Sequence, residues 1–196
     1  MKQNCRIYAI AVFDPLIVLH FIYHINLKTI SMSQQSLNSG NQMVVFGHLF
    51  TFLATTSETN QQYSIYEDQV PPQAGPPPHT HPDEELFYVV SGEFEFVLND
   101  PEKPFNVAPG QMIKIPSNAV HTFKNVGDTT GKLLTIIFPG QLERYFAETF
   151  PVVKSSDELP DLNSVPDFAN MDLSKAFANA DKHNISFLLP QDQISI

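Results

Sequence analysis

Alternation of apolar and polar positions dominates the middle of the chain. In residues 93–98, EFEFVL, Glu93, Glu95 and Val97 point one way and Phe94, Phe96 and Leu98 the other, the period of a half-buried strand. Short runs of the same kind occupy residues 44–54, 63–67, 85–90, 111–116, 121–126 and 132–138. Turn residues separate them: the polar loop 55–62, Ser91-Gly92, the hairpin loop 99–104, Pro109-Gly110 and the segment 127–131. About eight short strands with frequent turns and no long helix predict an all-β barrel or sandwich.

The period changes after Pro139-Gly140. Leu142, Tyr145, Phe146 and Thr149 fall at helical spacing, giving a face that would cover one end of a barrel. A Pro-, Asp- and Ser-rich linker spans residues 151–166. Leu173, Ala176, Phe177 and Ala180 then repeat the helical spacing, and residues 185–190 read as extended. No internal repeat is present, which excludes a two-barrel protein. The organisation expected is an N-terminal extension over residues 1–40, a barrel over 41–140, and a C-terminal helical extension over 141–196 packed on it.

Residues 7–30 are apolar but carry Asp14 and Pro15 within the run, and no small-residue cleavage site follows. A central Asp costs a membrane helix about 2.5–3.5 kcal/mol. The expectation is that this segment does not belong to the working protein and that Met32 opens it. His20 and His24 have i,i+4 spacing without a third ligand nearby, so they are not read as a metal site.

Composition narrows the class. The 196 residues suit one domain with a full core. Sixteen Phe and no Trp point to an interior built of phenyl rings. A net charge of -10 disfavours nucleic acid and anionic membranes as partners. Cys5 is the single cysteine, so neither an internal disulfide nor a thiolate metal site can form, and a reducing, cytoplasmic setting is expected.

The chemistry concentrates in HTHPDEE, residues 79–85. His79 and His81, two apart on a strand, share a face, and Glu85 can turn back toward them. With His121 this makes three imidazoles and one carboxylate, a set suited to one divalent transition metal. Glu84 competes with Glu85. If Glu85 points inward so does Phe87, and His121 carries Phe123 with it. The ligands would then sit among Phe87, Phe94, Phe96, Phe123 and the Ile136/Phe138 side of the last strand. Such a cup suits a planar small molecule that chelates through oxygen. Glu67 reads as a solvated strand end, His48 and His183 as surface or packing residues, and Asp83 as part of a solvated turn.

These residues resemble the cupins. Gly75, His79, His81, Glu85 and Gly92 follow the first cupin motif, with a shorter gap from Gly75 to His79. Pro109-Gly110, Pro116, His121 and Asn125 follow the second. Phe52 to Thr55, Pro76 to His79 and PGQLERYF at residues 139–146 are similar to single-domain cupins described as quercetin 2,3-dioxygenase-like. The departure is TNQQ at residues 59–62, where such proteins carry Gly. The resemblance implies a small cupin β-barrel (a double-stranded β-helix or jelly roll) and one divalent metal: Fe, Mn, Ni, Cu or Zn. It implies metal ligands His79, His81, Glu85 and His121, Glu85 as catalytic residue, and a substrate wall of Phe87, Phe94, Phe96, Phe123 and Phe138. The activity implied is dioxygenation of a small aromatic or enediol-type, flavonol-like substrate, with molecular oxygen as co-substrate and a homodimer as the assembly. A metal-dependent isomerase or hydrolase and a non-enzymatic small-molecule-binding cupin are the alternatives.

Overall fold

The computed structural model describes residues 36–188; the N-terminal apolar run, with His20 and His24, lies outside them. Among these residues the chain forms strands β1 (Gln42–Val45), β2 (His48–Ala54), β3 (Ser64–Val70), β4 (His79–Thr80), β5 (Glu84–Ser91) and β6 (Phe94–Leu98). β7 (Phe105–Val107), β8 (Met112–Ile115), β9 (His121–Asn125) and β10 (Gly131–Phe138) follow, then helices α1 (Leu142–Thr149) and α2 (Ser174–Ala180) and strand β11 (Ser186–Phe187). Two antiparallel sheets result. One has the order β1-β2-β3-β10-β5-β8 and the other β11-β4-β9-β6-β7. This is the all-β architecture expected, a small two-sheet barrel with short C-terminal helices.

The single strand expected over residues 44–54 is two strands. Phe46 and Gly47 both have positive φ, 52° and 82°, and Val45 pairs with His48 across them. Two consecutive left-handed residues make the tight hairpin turn whose twist matches paired strands. The strand expected at residues 63–67 runs on to Val70, which brings Asp68 into the sheet. In the 55–62 loop, Asn60 and Gln61 take the positive φ that favours glycine, and the Gln61 N–H donates to the Thr56 carbonyl.

Alternation sets the interior. Phe50 and Phe52 on β2, Tyr66, Asp68 and Val70 on β3, and Leu133, Thr135 and Ile137 on β10 are buried between the sheets. Phe87 and Val89 on β5 and Phe94 and Phe96 on β6 meet them from the other strands. Two apolar clusters fill the barrel. One packs Phe87, Phe94, Phe96, Phe123 and Leu133 at one end. The other joins Val45, Phe50, Tyr66 and Ile137 to Leu142, Tyr145 and Phe146 of α1 and to Ala176 and Ala180 of α2. Each buried Phe is worth about 1.5–3 kcal/mol over its exposed state, so the helices are part of the core. Among the described residues no helix is long and apolar enough to cross a membrane.

Candidate metal centre

The histidine strand is held in place by the proline run before it. Prolines offer carbonyls but no N–H, and each carbonyl of Pro76, Pro77 and Pro78 is used. Pro76 accepts from Thr122 Oγ1 at 2.6 Å, Pro77 from His79 Nδ1 at 2.8 Å and Pro78 from the Leu188 N–H at 2.8 Å. Gly75 allows this path, since a Cβ there would lie 1.9 Å from the Phe123 carbonyl oxygen. Asn125, at the other end of β9, anchors the chain ahead of Gly75: its carbonyl accepts from the Gln73 N–H and its own N–H donates to the Ala74 carbonyl. Its side-chain amide donates to the carbonyls of Val70, Pro71 and Thr129.

His79 pairs directly with His121 across β4 and β9. The His79 and His121 rings are 4.3 Å apart, those of His81 and His121 4.9 Å, and those of His79 and His81 5.5 Å. One ring nitrogen from each of the three lies within 4.8 Å of those of the others. Glu85 Oε2 is 3.2 Å from Nε2 of both His81 and His121. Nδ1 of His79 and of His121 are turned back onto backbone carbonyls of Pro77 and Ala119. That leaves their Nε2 atoms facing inward, the orientation by which backbone acceptors fix metal-binding histidines. His121 Nε2, although 3.2 Å from Glu85, makes no well-directed hydrogen bond, and buried His81 Nδ1 has no partner. Orphaned imidazole nitrogens beside a carboxylate are what a divalent metal would satisfy, so the donor set fits such an ion.

Electrostatics follow from crowding. Burial, and then the neighbouring His121 and His81, push the His79 pKa down to about 3, so it stands neutral and ready to donate its lone pair. Burial opposes charge on His81, but the Glu85 carboxylate outweighs it and raises its pKa. Burial likewise raises Glu85, and the two imidazoles more than reverse that, holding it well below the usual carboxylate range. The cluster behaves as an ion pair waiting for a metal to displace a proton.

Glu84 points away from the site and pairs with Lys114 at 2.9 Å on the surface. Phe87 and Phe123 line the cavity next to the histidines, with His79, Glu85, Phe146 and Phe187. Phe94 and Phe96 lie deeper, packed against Phe123 in the closed end of the barrel rather than on the cavity. The structure does not bring Phe138 to the site. Thr135 and Ile137 take the inward positions of β10, Ile136 and Phe138 face outward, and Phe138 packs on Tyr63. Glu67 bridges to Lys132 at the surface, and His183 hydrogen-bonds Glu148 at 2.9 Å.

Two further residues differ from the sequence expectation. Asp83 is 1 % exposed rather than solvated. Its carboxylate accepts the backbone N–H groups of Gly140, Gln141 and Leu142 at 2.8–2.9 Å. These are the unpaired donors at the start of α1, so the metal-ligand segment itself caps the helix that covers the cavity. His48 is also buried, at 2 % exposure, with Nδ1 3.2 Å from Asp68 Oδ2. Both residues line the cavity. The signal for them was present: His48, Phe50 and Phe52 alternate on β2, as do Ser64, Tyr66 and Asp68 on β3.

Residues 67–137 match the family model described as cupin domain. Protein SchB of Streptomyces halstedii is 39% identical over 62 residues, 31% of this chain and 44% of that protein. The chain thus spans under half the length of this curated relative. Similar solved structures include KdgF from a Halomonas species, at 21% identity over 50% of this chain and 84% of that one, with a TM-score of 0.44. An RmlC-like cupin from Shewanella frigidimarina has 19% identity over 53% and 88%, also with a TM-score of 0.44. A predicted oxalate decarboxylase from Thermotoga maritima has 22% identity over 46% and 79%, again with a TM-score of 0.44. The domain match, together with the two-sheet architecture, supports the cupin superfamily for this chain.

Proposed function

We propose that this chain is a metal-dependent dioxygenase acting on a compact, oxygen-chelating substrate of enediol or single-ring type. The observation that carries the reading is the convergence of the His79, His81 and His121 nitrogens beside Glu85 at the wall of an apolar cavity. A divalent metal held by these four residues would polarise substrate oxygens and supply the redox partner that dioxygen needs.

The chain's own residues do the rest. Phe87 and Phe123 form a flat apolar wall that orients a planar substrate and keeps water from it. Leu142 and Phe146 of α1, with Ile185 and Phe187 from the C-terminal segment, complete the lining, the Phe187 ring lying 5.9 Å from that of His79. Glu85, engaged by two imidazoles, orients them and completes the donor set. The cavity volume is about 40 Å³, room for roughly three water molecules. That space is small for a three-ring flavonol, which is why a smaller substrate is favoured. A homodimer and a cytoplasmic setting accompany the proposal on the family resemblance and the lack of disulfide-forming cysteines.

The test is metal analysis of protein purified from its host, followed by oxygen uptake with a panel of catechols, enediols and flavonols. A redox-active metal at about one per chain and oxygen consumption with a compact member of the panel are expected. Full zinc loading with no oxygen uptake across the panel would refute dioxygenation and leave an isomerase, a hydrolase or a binding protein.

A further inference from the structure

Across the cavity from the histidine cluster stands a second polar group that the metal centre does not use. His48 and Asp68 lie on β2 and β3, in the sheet opposite β4 and β9. Both are inward positions, and both side chains are at most 2 % exposed. His48 Nδ1 meets Asp68 Oδ2 at 3.2 Å, which fixes the tautomer: Nδ1 carries the hydrogen and donates it to the carboxylate. The other ring nitrogen, Nε2, is then a bare lone pair. It is buried and has no hydrogen-bond partner among the described residues, and neither has Asp68 Oδ1. The rest of the ring is fixed by aromatic neighbours, with Phe123 5.9 Å and Phe50 6.4 Å away, centroid to centroid.

A buried imidazole acceptor left unpaired costs about 1–3 kcal/mol. A purely structural residue at this place would be better as leucine. An unpaired acceptor on a residue that lines a cavity, backed by a carboxylate that stabilises the imidazolium, is the arrangement of a general base. Besides His48 and Asp68, the titratable groups lining the cavity are His79, Glu85, Tyr66 and Tyr145; burial raises the Tyr145 hydroxyl, which donates to the Ala176 carbonyl. His79 and Glu85 are occupied in the metal cluster, and burial, with the charges of Glu85 and Asp68, holds the Tyr66 hydroxyl well above its ordinary pKa. That leaves His48 as the group free to accept a proton.

We infer that His48, positioned by Asp68, takes the acidic proton of a substrate whose ionised oxygen is held on the histidine-cluster side of the same cavity. The O–H bond of the substrate breaks, the proton bonds to His48 Nε2, and the electron pair stays on the substrate oxygen. Asp68 balances the positive imidazole. The inference deepens the proposed function, because it names the substrate class: a weak oxygen acid such as an enol, a single-ring catechol or a hydroxamic acid.

Acetohydroxamic acid is a compact probe of this class. Its binding to zinc-loaded protein at pH 8 is followed by calorimetry in buffers of differing ionisation enthalpy, which counts protons released to solvent. Wild type is expected to release close to none, because His48 keeps the proton. His48→Gln is expected to release close to one per probe bound, with unchanged zinc content, and Asp68→Asn an intermediate fraction. Equal proton release by wild type and both variants would overturn the inference. A packing role alone would change affinity but not this count. If wild type takes up no zinc, the metal reading fails by itself, and the imidazole 15N signals of His48 in metal-free protein decide the dyad. Protonation of Nε2 on adding the probe supports it, and unmoved signals overturn it. Should His48→Gln not fold, wild type against Asp68→Asn gives the same decision.

Discussion

Replacing Asp83 with alanine removes one carboxylate and strands three backbone donors. Gly140, Gln141 and Leu142 now donate to it at 2.9, 2.8 and 2.9 Å in a buried setting. Loss of an ordinary N-terminal cap costs about 0.5–2 kcal/mol, with solvent free to take over the exposed groups. Hydrogen bonds to a charged group are worth about 1.5–3 kcal/mol each, but the three are not independent, and fraying of α1 would rehydrate some of the donors. A loss of about 2–4 kcal/mol is therefore expected for Asp83→Ala. For a chain of this size that is a fall in Tm of roughly 5–15 °C. Asp83→Asn keeps one acceptor oxygen and loses the charge, so it should lie about midway. Thermal melts of metal-free protein measure this without interference from ligand binding. Because α1 roofs the cavity with Leu142 and Phe146, the alanine variant should also bind an apolar dye more strongly. A Tm within 2 °C of wild type and unchanged dye binding would show that the cap contributes little and that the linkage from ligand segment to roof is not energetic.

Glu84→Ala should leave metal stoichiometry and affinity unchanged, whereas Glu85→Gln should weaken metal binding by tenfold or more; elemental analysis and competition with a chelator separate them. Gly75→Ala should abolish soluble folded protein, since its Cβ would fall 1.9 Å from the Phe123 carbonyl oxygen; Gly110→Ala, with φ +86° and open space around it, should cost only about 1–2 kcal/mol in a denaturant melt. Hydrogen bonds from Ser39 and then Thr55 lower the Glu58 pKa to about 2. The folded value lies below the ordinary 4.5, so its contribution is present above pH 4.5 and drains away as pH falls toward 2. Protection factors in the 55–62 loop, taken relative to the intrinsic exchange rate at each pH, should fall across that window in wild type and stay flat in Glu58→Gln.

Much of the architecture was legible because half-buried strands declare their period. On β6 the two faces differ sharply in polarity, so the inward placement of Phe94 and Phe96 could be read directly; on β5 Glu84 and Glu85 head two similar rows, and it was the spacing of the resemblance that favoured Glu85, and with it Phe87. β10 offers little contrast: Leu133, Thr135 and Ile137 alternate with Leu134, Ile136 and Phe138, both rows are largely apolar, the polar Thr135 faces inward, and Lys132 at the strand's start is the one charged marker of the outward row. Choosing the Phe138 row was the consequence. Asp68 escaped notice because the reading of β3 stopped at Glu67, one residue short, and His48 because its partner was then missing. Asp83 could not be placed by pattern at all. Its partners lie 57 to 59 residues away, and nothing local marks a charged turn residue that caps a distant helix.

The pairing of β11 with β4 bears on when the protein becomes competent during its synthesis. Phe187 sits opposite His79 and Ser186 opposite Thr80, while on its other side β4 meets β9 only at His121. The two-residue strand that carries His79 therefore gains its second neighbour only when Ser186 and Phe187 have been made. The first sheet, whose strands are all complete by Phe138, can assemble earlier. A product that stops before Ser186 would carry all three histidines yet hold His79 loosely.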